Sequence, residues 1–360
     1  MRKLWLVLAV ILPVILCTIS TGMAAESPLP FRVGVLYWSM NIPGQVAMRK
    51  GLEGRAVMIN NQAAASGTRR IDLICRVAGD GEEGIFRQIE QMNELLAMNV
   101  DLIIVQPTDN AALSDCLLRA NQQNIPVVAY DQYIHPGRLA AFRTSDNFQA
   151  GWLNGEYIAA KFENGRKLRL ILVDYPHVSS TVERLNGFLA ALSEAKIDHE
   201  ILQTYQAVEP VSGRQVAGRI LQDFPEKNSV DVVFTVNDGG GLAIAEEIFR
   251  AGRTEIMHAT IDGDPMSVEN ISNGRVTVID SAQFCGPLGE EAMQAGYDIL
   301  IGKKVPYHAL VPVFPVTGET LAQYPGWCGP IPEKLEKSWK SLGAEWSGSL
   351  KIIKNELRLE

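Results

Sequence analysis

Residues 101–131 read DLIIVQPTDNAALSDCLLRANQQNIPVVAYD, and the fold is decided there. Two short β-branched runs, Asp101–Gln106 and Pro126–Tyr130, are separated by a stretch of helical period, and polar residues, Gln106 and Asp131, stand at their ends. Strands that alternate with helices build parallel sheets covered on both faces, which explains why the runs are continuously apolar. Upstream, Arg32–Tyr37 and Ile71–Val77 are further strands. Ile85–Met98 is a helix whose Ile85, Ile89, Met92, Leu95 and Leu96 line one face. After Asp146 a second series begins, with strands Leu168–Val173, Glu200–Thr204, Val230–Val236 and Ile256–Ile261. Its helices are Gln149–Phe162, Val182–Ala195, Arg214–Phe224 and Leu242–Ala251. The reading is α/β, with two doubly wound lobes.

Polar residues recur just beyond these strands: Asn41, Gln106, Asp131, Asn237-Asp238 and Asp262. One such residue is an ordinary turn or cap. Five in the same topological place, from two series, point to a cleft at the carboxyl ends of the strands.

The composition agrees. The chain has 360 residues, 47% hydrophobic and 21% charged, with a net charge of −8. That acidic balance argues against binding nucleic acid. Arg2 and Lys3, the apolar run Leu4–Ile19 and the small residues Gly22–Ala25 form an export-signal pattern, expected to be cleaved at Ala24 or Ala25. Residues 1–25 are therefore read as a signal peptide, and no later segment reaches transmembrane length. Losing Arg2 and Lys3 takes the 33 basic residues to 31 against 41 acidic ones, a net −10. Export allows disulfides. Cys75, Cys116, Cys285 and Cys328 permit three pairings, of which Cys285–Cys328 is preferred because it would tie the C-terminal residues to the body. No zinc spacing and no HExxH occurs, so no metal or cofactor is expected.

Gly79-Asp80-Gly81-Glu82-Glu83-Gly84 matches GxGxxG but follows the second strand, and three carboxylates stand where a pyrophosphate would sit. It reads as a tight acidic turn. Gly239-Gly240-Gly241 lacks the Lys and Ser/Thr of a phosphate loop, and no GxSxG elbow is present. Nothing marks an enzyme.

The order of several segments resembles the periplasmic sugar-binding proteins of the ribose-binding type, the type I periplasmic binding proteins. Gln106-Pro107-Thr108-Asp109, Asn124-Ile125-Pro126-Val127-Val128 leading to Asp131, and Thr144-Ser145-Asp146-Asn147 carry the likeness. Val182–Phe188, Asn237-Asp238 and Ile261-Asp262-Gly263 continue it. The resemblance spans about residues 31–316 and implies two Rossmann-like lobes joined by three crossings, near Ser145, Gln283 and Pro312. It implies a first lobe of 31–145 plus 284–311 and a second of 146–283 plus 312–325. An extension, 326–360, would lie beyond the core.

Carried over residue by residue, the family's sugar ligands fall on Asp131, Arg184, Asn237, Asp262 and Gln283. Carboxylates, amides and a guanidinium fork each hold adjacent hydroxyls. Gln106 stands where ribose binders have Asn, and Gln132 where they have Arg. The first-lobe aromatic pair falls on Gly44 and Gln45, the second-lobe aromatic near Val208. Trp38, Tyr133 or Tyr175 would supply a stacking face, and Asn41 and Gln132 complete the candidate set. These departures put ribose in doubt. The implied protein is a monomeric periplasmic receptor that takes a sugar or polyol to an ABC permease, or alternatively signals through a sensor kinase or chemoreceptor.

Overall fold

In the computed structural model, residues 28–162 and 165–354 are described; the expected signal, 1–25, lies outside them. The first half runs β1 (Phe31–Tyr37), α1 (Pro43–Ser66), β2 (Ile71–Val77), α2 (Gly81–Ala97), β3 (Leu102–Val105), α3 (Ser114–Gln122), β4 (Val127–Tyr130) and β5 (Ala141–Ser145). The second half runs α4 (Asn147–Lys161), β6 (Leu168–Asp174), α5 (Ser179–Glu194), β7 (His199–Gln206), α6 (Pro210–Asp223), β8 (Val232–Thr235), α7 (Asp238–Arg250), β9 (Met257–Asp262), α8 (Pro265–Ser272) and β10 (Thr277–Gln283). The chain then returns through α9 (Cys285–Leu300), β11 (His308–Val311), β12 (Val313–Thr317) and β13 (Lys351–Ile353).

Two sheets result, ordered β13-β11-β5-β4-β3-β1-β2 and β12-β10-β9-β8-β6-β7. β1 lies between β2 and β3, and β6 between β7 and β8, all parallel. Each sheet therefore reverses its winding at one strand, and each reversal opens a crevice at the carboxyl ends. The chain passes between the sheets at 145–147, 283–285 and 311–313. β3, β4 and β8 are buried throughout, as expected of central parallel strands.

Glycines set the helix contacts that matter for the cleft. A methyl group on Gly151 of α4 would stand 1.8 Å from the Arg184 carbonyl oxygen, and one on Gly187 of α5 2.0 Å from that of Phe148. The two backbones touch there, which fixes the turn of α5 that carries Arg184.

Two expectations need correction. Cys75, Cys116, Cys285 and Cys328 are all free thiols, so the preferred Cys285–Cys328 bridge is not formed. Nor does the extension lie beyond the core. Trp339 is buried in the second lobe, with its indole nitrogen 2.8 Å from Glu156 Oε1, and Lys337 and the Leu342 amide bind the same carboxylate. β13 then adds an antiparallel edge strand to the first sheet, beside β11. The tail stays on the body because it brings three tryptophans whose apolar faces and single N–H donors find partners there.

Candidate functional site

Asp131 follows β4 with φ of 65°, and Asp262 ends β9 with φ of 137°. Left-handed backbone is uncommon outside glycine, and the second value lies beyond even the usual left-handed well. Each lobe thus strains its backbone to aim one aspartate from a strand end. Asp131 is locked by its amide to the Arg143 carbonyl and by Thr144 Oγ1 to its own carbonyl, both at 2.8 Å. Its Oδ2 accepts from Gln106 Nε2 at 2.9 Å. Gln106 in turn accepts from the Trp38 amide.

Arg184, in the second turn of α5, is buried. Its Nε donates to Asn147 Oδ1, and its Nη1 to the Val236 carbonyl and to Asp262 Oδ1, each at 2.9 Å. Gln283 Nε2 donates to the same Asp262 oxygen at 2.6 Å, while its Oε1 accepts from Ser145 at the first crossing. Burial pushes the carboxyls of Asp131 and Asp262 up; the Gln106 bond and Arg184 oppose this at Asp131, and Arg184 and Gln283 at Asp262. Behind Asp262, desolvation raises Asp280 to about 6 and also holds Asp238 well above the usual carboxylate range.

These side chains meet around one interlobe cavity of about 40 Å³. Asp131, Arg184, Asn237, Asp262, Gln283, Gln132 and Trp38 all line it. Gln106 does not; it sits behind Asp131 and holds it. Asn41 is not at the cavity either, because its amide binds Asp80 at 2.6 Å on the outer rim. Asn237 caps α7 through Gly240 and holds the Val208 carbonyl, so its amide has structural work besides. Tyr133 and Tyr175 do not line the cavity.

Sequence reasoning missed the start of α5. Its N-cap, Val178, supplies no side-chain cap. Instead the first lobe caps it across the cleft: Asn110 Oδ1 accepts from the Ser179 amide and Gln132 Oε1 from the Ser180 amide, both at 3.2 Å. Gln132 Nε2 also donates to Ser180 Oγ at 2.8 Å. The Ser179-Ser180-Thr181 run was the available signal. A larger hollow of about 320 Å³ lies at the amino end of β4, but its Asn121 and Arg138 bind each other and none of the carboxylates described here faces it. Among the described residues no cluster suited to a metal occurs.

The GxGxxG run is the acidic turn expected. A methyl on Gly84 would stand 2.1 Å from the Gly79 carbonyl oxygen, and Glu82 and Glu83 occupy the positive end of α2.

Two α/β lobes with carboxylates, amides and a guanidinium meeting at an interlobe cleft define a hinged solute-binding protein. Residues 33–304 match the periplasmic binding protein domain family, and the chain belongs to that family: it is a binding protein, not an enzyme. It is 28% identical over 277 residues to the ribose import binding protein RbsB of Bacillus subtilis (strain 168), covering 76% of this chain and 83% of that protein. Its fold matches an ABC transporter solute binding protein from Bacillus halodurans C-125 with bound myo-inositol, at TM-score 0.71 and 21% identity, over 83% of this chain and 98% of the other. It also matches the fructose binding periplasmic domain of a hybrid two component system, at TM-score 0.69 and 24% identity, over 80% and 90% of the two chains. The expected type I fold is thus the observed one. No helix among the described residues is long and apolar enough to cross a membrane.

Proposed function

We propose that this protein, exported by a cleaved signal at residues 1–25, captures a monosaccharide or polyol between its lobes and delivers it to an ABC permease. The observation that carries the reading is that Asp131 from one lobe and Arg184 and Asp262 from the other line a single cavity. A ring bearing adjacent hydroxyls satisfies such a set from both sides, each hydroxyl donating to a carboxylate and accepting from the guanidinium or an amide. Trp38, Ile42, Met48, Val178 and Val208 supply apolar faces beside this polar set, as the C–H faces of a sugar ring require. A cavity of about 40 Å³ holds only a few waters, so a sugar enters when the lobes part and is enclosed when they close.

Ribose is not the favoured sugar. The first-lobe aromatic positions are Gly44 and Gln45, and Gln132, in place of an arginine, is spent on α5. The similarity to ribose, inositol and fructose binders supports the polyhydroxyl class rather than one member of it. A thermal-shift screen of the mature protein against D-ribose, D-allose, D-fructose, myo-inositol and amino acids tests this. A ligand at 100 times its dissociation constant stabilises by about 2.7 kcal/mol. Stabilisation by amino acids alone would overturn the reading.

The alternative is a signalling receptor that docks on a sensor kinase, favoured by the likeness to a two-component sensor domain. Uptake of the labelled sugar by cells lacking this protein separates the two. Loss of uptake supports the transport reading; unchanged uptake with loss of kinase response supports the alternative.

A further inference from the structure

The C-terminal extension reaches the binding site at one residue. Trp327 Nε1 donates to the Asp262 carbonyl at 2.6 Å, the carbonyl next to the strained φ of 137°. The Trp327 carbonyl accepts from the Gly286 amide at 3.1 Å, in the first turn of α9. α9 has no side-chain cap of its own, and its N-terminal amides need acceptors. One tail residue therefore grips a second-lobe ligand residue with its side chain and caps a first-lobe helix with its backbone. Its ring also stands behind the cavity wall: a methyl on Gly44 would lie 3.9 Å from Trp327 Cζ2 and 3.5 Å from Cys285 Sγ. Gly326, at φ of 86°, makes the turn that delivers it. Elsewhere the tail is anchored to both lobes, through Glu156 on α4 and through β13.

We propose that Trp327 is a positioning residue of the binding site, holding Asp262 in its strained, ligand-facing conformation and coupling that conformation to α9 of the opposite lobe. The proposal rests on the cleft being the binding site, as argued above. An outlying backbone conformation persists only where its surroundings over-determine it. Asp262 has its carboxylate fixed by Arg184 and Gln283, and the amide of the next residue, Gly263, fixed by Asp280 Oδ1 at 2.9 Å. Asp238 holds the Asp264 amide at 2.7 Å and the Tyr324 hydroxyl bonds the Gly263 carbonyl at 3.4 Å, while Trp327 supplies the restraint on the Asp262 carbonyl itself.

The test uses the full-length mature protein and two variants. Trp327→Phe keeps an aromatic ring, smaller than the indole, and the backbone cap but loses the N–H. Trp339→Phe removes the equivalent donor elsewhere on the same tail, where it serves Glu156. Hydrogen exchange at the Gly263 and Asp264 amides reads the restraint without any ligand. Trp327→Phe should speed exchange at these two amides about tenfold, the effect of losing about one hydrogen bond, with exchange in β6 and β8 unchanged. Trp339→Phe should leave Gly263 as it is. Equal protection at Gly263 in parent and Trp327→Phe overturns the proposal, as does an increase spread evenly over the second lobe in both variants. Calorimetry with D-allose and myo-inositol is the second arm: Trp327→Phe should weaken whichever binds the parent by about tenfold, and unchanged affinity also counts against the proposal. If neither binds the parent, the functional reading loses support while the exchange data still decide the role of Trp327.

Discussion

Asp131 and Asp262 occupy corresponding places, each at the carboxyl end of a parallel strand, each at positive φ, each facing the same cavity. Their surroundings differ. Asp262 is met by a buried guanidinium at 2.9 Å, an amide at 2.6 Å and the tail indole, so the second lobe's side of the site is held by three donors without a ligand. Asp131 has only neutral amides on its carboxylate, Gln106 at 2.9 Å and the neighbouring Gln132, which also reaches across to α5. The second lobe behaves as a preformed receptor surface, whereas the first supplies one charge and a latch. In a hinged binder, a ligand that docks first on the preformed side and then draws the other side over it shifts the open–closed equilibrium by the difference between its affinities for the closed and open forms.

The largest break in this comparison is Arg184→Ala. Arg184 is 3% exposed and holds Asp262, Asn147 and the Val236 carbonyl. Removing one member of a buried pair leaves a buried carboxylate uncompensated, at about 3–5 kcal/mol. The unliganded protein should melt roughly 10 °C lower, and sugar binding should be lost. Differential scanning calorimetry checks this, and an unaltered melting temperature would mean the second side is not preassembled.

Asp131→Asn is the matching change on the first side. Burial already disfavours the Asp131 carboxylate, so neutralising it should leave the unliganded melting temperature unchanged or slightly higher. Binding of the screened sugar should weaken by roughly tenfold to a hundredfold, since a hydrogen bond to a charged group contributes about 1.5–3 kcal/mol. Titration calorimetry together with a melting curve separates the two effects.

A pH series sharpens the contrast further. Asp280, beneath Asp262, is raised to about 6 chiefly by desolvation, from an ordinary value near 3.8. Between those values the folded protein binds more protons than the unfolded chain, so stability falls as pH rises through that window and levels off above it. Asp280→Asn should flatten the fall, while Asp131→Asn at the cleft leaves the Asp280 component in place. Melting temperatures from pH 4 to 7 for parent and variants test this, with a difference of a few degrees expected.

The core of both sheets was legible in the sequence because β3, β4 and β8 are apolar on both faces and closed by polar residues, and β6 is so apart from Arg169. β5, β10 and β12 were not, because AFRTS, TVIDSAQ and VFPVT mix polar or proline positions into strands that long-range pairing stabilises. Asp131 and Asp262 were marked by their place at strand ends as well as by the resemblance, Arg184 by the resemblance alone, and the geometry gathers all three at the cavity. Asn41 shows the limit of counting polar residues after strands: it satisfies Asp80 at the rim and never reaches the cavity. Trp327 was unreadable as a site residue, because its partner Asp262 lies 65 positions upstream and the contact is to backbone.

The smallest expected effect belongs to the latch. Gln132 binds Ser180 through two hydrogen bonds and approaches Ser179 Oγ, so closure is favoured by direct contact between lobes as well as by ligand. Each neutral hydrogen bond contributes about 0.5–1.5 kcal/mol net. Gln132→Ala should therefore move the unliganded protein toward the open form. X-ray scattering should give a larger radius of gyration for the unliganded variant and the parent value once sugar saturates it. Affinity should fall by roughly tenfold or less, since the closed form becomes less populated and one neutral cavity-lining amide is lost. An unliganded radius equal to the parent's would show that Gln132 is a bystander. A radius that stays large at saturation would show instead that the second lobe's preformed side cannot draw the first lobe over it without this contact.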